Sequence, residues 1–155
     1  MTFPPSPIVS ADPLRAEVWH VLIADDDPSV QAVTHAALRH IIVAGRPLML
    51  ASATTVAEVH AWLATHREPA LLLLDIGLDT PDAGLILARQ VREVLGNHTV
   101  RILLRSGRDP TDLRAAAAGL DVSDVLGKTS GTLQELRMAV IAPLEVYARL
   151  TRPEN

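Results

Sequence analysis

At 155 residues, 48% of them hydrophobic and 21% charged, the chain has room for one domain with a buried core and is too apolar for a disordered tail. Its net charge of −4 argues against direct nucleic-acid binding, which needs a basic stripe, and the cluster Arg101, Arg105 and Arg108 does not overturn that. The absence of cysteine excludes disulfides, thiol catalysis and thiolate metal sites, and it fits a reducing, cytoplasmic setting.

The N-terminus, MTFPPSPIVSADP, holds four prolines but no basic start and no apolar stretch. Residues 1–16 are therefore expected to be an extended lead-in and not a signal peptide. No apolar run approaches the ~20 residues that span a bilayer, so no membrane partner is expected. Val18 to Ala24 (VWHVLIA) predicts a first strand. Asp25, Asp26 and Asp27 follow. Asp27 before Pro28 marks a helix start, a capping carboxylate and then proline at the first helical position. The helix is expected to run to about Ala44, with Val30, Val33, Ala37, Leu38 and Ile41 on its inner face and Gly45 ending it.

Pro47 to Ala51 reads as a second strand. A helix opened by Thr54 or Thr55 then runs to about His66, with Val56, Val59 and Leu63 inward. Ala70 to Leu74 (ALLLL) is apolar at every position, the pattern of a strand buried on both faces, and it ends at Asp75. Residues 76–84 are rich in turn formers, and Asp79 and Asp82 read as turn and cap residues. Leu85 to Leu95 predicts a third helix closed by Gly96-Asn97, and Val100 to Leu104 a fourth strand. After Ser106-Gly107, Asp109-Pro110 opens a short Ala-rich helix to Ala118. Val122 to Leu126 is a fifth strand ending at Gly127-Lys128, and a last helix runs from near Thr132 to about Leu150. Pro143 is expected to kink or interrupt it, and residues 151–155 to be a tail or the start of a linker. Strict alternation of strand and helix implies a parallel sheet with helices on both faces, in a domain over residues 17–150.

In an open α/β sheet the ligand site lies beyond the carboxyl ends of the strands. There stand Asp25, Asp26 and Asp27 after strand one, Asp75 after strand three, Ser106 after strand four and Lys128 after strand five. Carboxylates held together repel, by about 4 kcal/mol per pair at 4 Å and an effective dielectric of 20, and need raised pKa values or a cation between them. A hard divalent ion such as Mg²⁺, or Mn²⁺, suits oxygen ligands beside phosphate. Asp75 can then act as a nucleophile toward phosphorus, with Lys128 as the balancing cation and the Ser106 hydroxyl bonded to a phosphoryl oxygen. Asp27 reads as a helix cap only. The six histidines form no HExxH and no i, i+4 pair, so no zinc site is expected. His20 reads as a satisfied core or edge histidine, and Trp19 and Trp62 as packing.

VLIADDDPSV, LLLLDIGLD, ILLRSG and DVLGKT, in that order and each at a strand end, resemble the response-regulator receiver family over about Trp19 to Leu150. The resemblance implies a flavodoxin-like, doubly wound, five-stranded sheet in the order 2-1-3-4-5. It implies Mg²⁺ held by Asp25, Asp26, Asp75 and the backbone carbonyl of Gly77, a phosphoacceptor at Asp75, a switch hydroxyl at Ser106 and a phosphate-pairing Lys128. The donor would be a histidine kinase or phosphotransfer protein. The responsive surface would be the face of the fourth helix, fifth strand and fifth helix, used for receiver pairing or for an output domain.

LDTPDAGL and VREVLGNHTVRILLRSG look like a subgroup that often precedes a domain of unknown function and then an HD-type cyclic-di-GMP phosphodiesterase, or another signalling output. The chain is therefore expected to be an N-terminal, non-enzymatic receiver of a longer protein. It departs from the family at Thr129, where proline follows the lysine in most receivers, and at Val125, where an aromatic is usual; a trans bond is expected before Thr129. The acceptor loop between Asp75 and Gly84 is one residue longer than usual. Val125 and Thr129 motivate a rival, a binding module of the same fold that no longer answers to phosphate. An Asp-nucleophile hydrolase would need a second acid two residues on, where Gly77 stands, and no GxGxxG follows strand one for a dinucleotide.

Overall fold

The computed structural model describes residues 17–108, 110–128 and 131–153. The lead-in 1–16, Asp109 and Thr129 lie outside the described residues. The elements are β1 (Trp19–Ala24), α1 (Pro28–Leu38), β2 (Ile42–Val43), β3 (Arg46–Ala53), α2 (Val56–Thr65), β4 (Pro69–Asp75), α3 (Ala83–Arg89), β5 (Arg101–Ser106), α4 (Pro110–Ala116), β6 (Asp124–Gly127) and α5 (Leu133–Leu150). The sheet order is β2-β3-β1-β4-β5-β6. All neighbours are parallel except β2 and β3, which form an antiparallel hairpin. Without that hairpin strand the order is the expected 2-1-3-4-5.

Alternation along the strands divides the core between two faces. Leu22, Ala24, Leu72, Leu74, Ile102 and Leu104 meet Val59, Leu87 and Leu113 from α2, α3 and α4. Val21, Ile23, Leu71, Leu73 and Leu103 meet Leu38, Val140 and Leu144 from α1 and α5. All seven residues of β4 are buried, as its unbroken apolar run predicts. Burying each such leucine contributes roughly 1.5–3 kcal/mol relative to exposure.

The helices start where their caps stand. Asp27 accepts from the N–H groups of Ser29 and Val30, with Pro28 at the first position of α1. Thr55 and Thr132 cap α2 and α5 by accepting from the N–H of Glu58 and Glu135.

Three local expectations are corrected. The first helix ends at Leu38 and not near Ala44, because Ala44 (φ 49) and Gly45 (φ 76) are both left-handed, as the two centre residues of a tight hairpin are. Ile42 and Val43 thus extend the sheet, and Trp19 fastens them by donating its indole N–H to the Val43 carbonyl at 2.7 Å. Val33, expected inside, is 52% exposed, while Gln31 and Thr34 are buried in its stead. Pro143 does not interrupt α5, which runs unbroken over 18 residues with that proline buried. The third helix also ends in a widened π-type turn, Gln90–Val94. Its Arg92 is buried and donates to the carbonyls of Leu120, Asn97 and Asp121.

Candidate functional site

β1, β4 and β6 deliver their terminal polar residues to one place. Asp25 and Asp75 are buried, Asp26 is exposed, and one carboxylate oxygen from each lies within 4.8 Å of the others. Lys128 Nζ lies 2.9 Å from Oδ2 of Asp25 and 2.9 Å from Oδ2 of Asp75. Burial alone would lower the Lys128 pKa, but its contacts with the two aspartates, and their charges, hold it above the ordinary lysine value. The other oxygens are also engaged: Oδ1 of Asp25 accepts from the N–H of Asp27, and Oδ1 of Asp75 from that of Gly77. Ser106 is buried, and its hydroxyl oxygen accepts from the N–H of Arg108 at 3.0 Å.

Asp25, Asp26, Asp75 and Lys128 are therefore together, from segments 103 residues apart at the extremes, and Ser106 stands beside Lys128, its backbone carbonyl accepting the Lys128 N–H at 2.8 Å. Gly77 joins them through its N–H. Three close carboxylates, two of them buried, against one lysine leave an excess of negative charge. That donor set, all oxygen and open on the Asp26 side, fits a hard divalent cation. Asp27 caps α1, as expected. Asp79 accepts from the N–H of Val56 and caps α2 from across the loop. Asp82 stands before α3 in a left-handed conformation without a side-chain cap bond.

The family model described as "Response regulator receiver domain" matches residues 21–141. The chain belongs to the response regulator receiver domain family. The receiver is 35% identical, over 142 residues, to a protein of Vibrio cholerae named 3'3'-cGAMP-specific phosphodiesterase 2; the match takes in 90% of this chain but 27% of that relative's length. Among solved structures it resembles the signal receiver domain of an HD domain-containing protein from Pseudomonas fluorescens, at TM-score 0.70 and 20% identity, over 86% of this chain and 99% of that one. A CheY-like receiver from Methanospirillum hungatei matches at TM-score 0.70 and 16% identity, over the same shares, 86% and 99%. At these identities the structures speak for the fold.

The receiver's site also holds residues that sequence reasoning missed. Gln31 of α1 donates its amide to the carbonyls of Ile23, Asp25 and Ala53 at 2.9, 3.1 and 3.1 Å, tying the ends of β1 and β3. Gly84 at the start of α3 donates its N–H to Ile76, and a Cβ there would lie 2.7 Å from both the Asp75 carbonyl oxygen and Ile76 Cα. Arg105, read in sequence only as part of a basic cluster, is buried beside Asp75 as its cross-strand partner. Arg101 is buried too, ion-paired with Asp121, so the cluster is no basic surface. The signal in sequence was a charged residue inside an otherwise apolar strand, ILLRS.

Val125, where most receivers have an aromatic, is buried in the core between β5 and α4. Among the described residues there is no cis peptide bond, and no helix is long and apolar enough to cross a membrane.

Proposed function

We propose that this receiver accepts a phosphoryl group on Asp75, with Mg²⁺ held by Asp25, Asp26, Asp75 and the backbone carbonyl of Gly77. The observation that carries the reading is the placement of Lys128 at 2.9 Å from both Asp25 and Asp75, beside a third carboxylate. A carboxylate oxygen of Asp75 attacks phosphorus, and the bond from phosphorus to the donor's nitrogen (or to the oxygen of a small acyl phosphate) breaks with its electron pair leaving on the donor. The cation would supply charge shared between the carboxylates and the phosphoryl oxygens. Lys128 balances the negative charge that moves onto Asp75. Ser106 can donate its hydroxyl proton to a phosphoryl oxygen while still accepting from Arg108, which links the loop after β5 to the state of Asp75.

The donor is a histidine kinase or phosphotransfer protein, and the face of α4, β6 and α5 carries the response to an output or a second receiver. The Vibrio cholerae relative's name makes a cyclic-dinucleotide phosphodiesterase the output class we favour. The chemistry assigned to this chain itself is only its own phosphorylation. Intact mass after incubation with acetyl phosphate and Mg²⁺ tests the reading. One phosphoryl group should appear, and neither Asp75→Asn nor the Mg²⁺-free sample should show it. No adduct together with no Mg²⁺ binding would refute it and favour a phosphate-independent module.

A further inference from the structure

Arg105 is the buried charge that the reaction above does not use. Its place follows from alternation: Leu71, Leu73 and Leu103 face α1 and α5, so Asp75 and Arg105, each two residues further along its strand, project to that same side. Ser106, one residue on, belongs to the opposite face. The Arg105 guanidinium donates to the Thr34 hydroxyl of α1 at 2.8 Å, while its buried Nε has no hydrogen-bond partner among the described residues. Lys128, and not Arg105, makes the direct ion pairs with the carboxylates. Beside Arg105 lies a cavity of about 370 Å³ that Lys128, Val33, Thr132, Leu133 and Leu136 also line, which gives the side chain room to shift.

An arginine so placed needs a reason, because a buried cation with an idle donor costs stability. Burial pulls its pKa down, and Asp25 and Asp75 are the charges that oppose this, so it feels both carboxylates without touching them. Thr34 is itself buried and is the side chain through which Arg105 is tied to α1.

We propose that Arg105 is a positioning cation of the acidic site, held back from Asp75 by Thr34 at rest and drawn to it when the charge there grows, so that α1 responds to the state of Asp75. This rests on Asp75 being the phosphoacceptor. Phosphorylation replaces a charge of −1 by one of about −2 and adds acceptor oxygens. A guanidinium can meet these with Nε–H and a terminal N–H together, the two-pronged contact that a lysine cannot make. The Thr34 bond then weakens or moves with the side chain, and α1 feels it through a residue one helical turn from Gln31 and Val30. The signal leaves the site on the side of the sheet opposite to Ser106.

The test uses the full chain with Arg105→Met, Arg105→Lys and Thr34→Val. In a titration with Mg²⁺ alone, Arg105→Met should bind about threefold to tenfold more tightly, because a like charge near the ion is gone; Arg105→Lys should stay near wild type, and Thr34→Val, which frees the guanidinium toward the acids, should bind no more tightly than wild type. After phosphorylation by acetyl phosphate, backbone amide signals of α1 should shift in wild type. They should stay at their resting positions in Arg105→Met and Thr34→Val although the adduct forms. Unchanged Mg²⁺ affinity in Arg105→Met, or α1 shifts that survive in both variants, would overturn the proposal. Should Arg105→Met not fold, Arg105→Lys and Thr34→Val decide it alone through the α1 amides: each keeps the charge and loses the fork or its tether, so the signals should stay at rest in both once phosphorylated, and shifts of wild-type size in both would overturn the proposal. A wild-type chain that takes up no phosphoryl group overturns the acceptor reading separately, because the Mg²⁺ arm reports on Arg105 without it.

Discussion

At the amino ends of the strands a cavity of about 630 Å³ is lined by Glu17, Trp19, His20, Arg46, Arg67 and Tyr147 among others. Its charges are balanced in number, Glu17 and Glu68 against Arg46 and Arg67, and Arg46 pairs with Glu17 at 2.7 Å and lies over the Trp19 ring at 4.5 Å. At the carboxyl ends the space is smaller, but three carboxylates, a lysine and a buried arginine converge with the acids in excess. The larger of these two cavities thus lies at the end opposite the acidic cluster. What distinguishes the end proposed to react is an excess of acidic charge, brought together from distant parts of the chain.

Substitutions at the two ends should separate accordingly. The largest effect is expected from Lys128→Met, which leaves Asp25 and Asp75 without their shared cation. Phosphorylation by acetyl phosphate at saturating Mg²⁺ should slow on the order of 10²-fold, the usual cost of removing one charge-stabilising donor. A rate within twofold of wild type would move the decisive charge elsewhere. Gly84→Ala comes next, because its Cβ would press on backbone atoms of Asp75 and Ile76, which cannot swing aside as a side chain can. A loss of about 1–3 kcal/mol in urea unfolding is expected, together with slower phosphorylation.

The amino end should show itself in pH and not in chemistry. Burial first, and then the nearby His66, hold the His20 imidazole below the ordinary histidine range, against the pull of Glu68. The folded chain therefore takes up this proton less readily than the unfolded one, and stability falls as pH drops below about 6.5. His20→Gln should flatten that decline when Tm is followed from about pH 7 to 5. A slope identical to wild type would assign the acid sensitivity to the carboxylate end. Arg46→Gln should matter least, shifting stability by about 1 kcal/mol or less, since its partner Glu17 is largely solvated.

His20 also marks a limit of reading from sequence. It was expected to be satisfied, yet its Nδ1 is buried without a hydrogen-bond partner among the described residues. Its environment comes from β4 and the end of α2, which no local pattern announces. The five parallel strands were legible because each is a short apolar run ended by polar turn chemistry, and the site residues because they stand at those ends. The β2–β3 hairpin was not, since Ile41, Ile42 and Val43 continue the apolar rhythm of the preceding helix and only the Ala44–Gly45 backbone breaks it. Gln31 and Thr34, and not Val33, stand on the inner face of α1, which was not legible because apolar periodicity cannot see a polar side chain buried for a partner on another strand. Arg105 was hidden in the same way, by its likeness to two other arginines nearby.

The Gln31 amide bears on timing. Three carbonyls from two strands converge on one buried nitrogen, and the backbone at Asp25 is further held by its own N–H on Ala53. An acidic loop left to solvent would have to freeze its torsions each time a cation arrived, and would thaw when it left. Here that ordering is completed during folding, by contacts that do not involve the carboxylates. On the proposed reading, loading of the site is then paced by the loss of water from the incoming ion, and the loop adds no slow conformational step of its own.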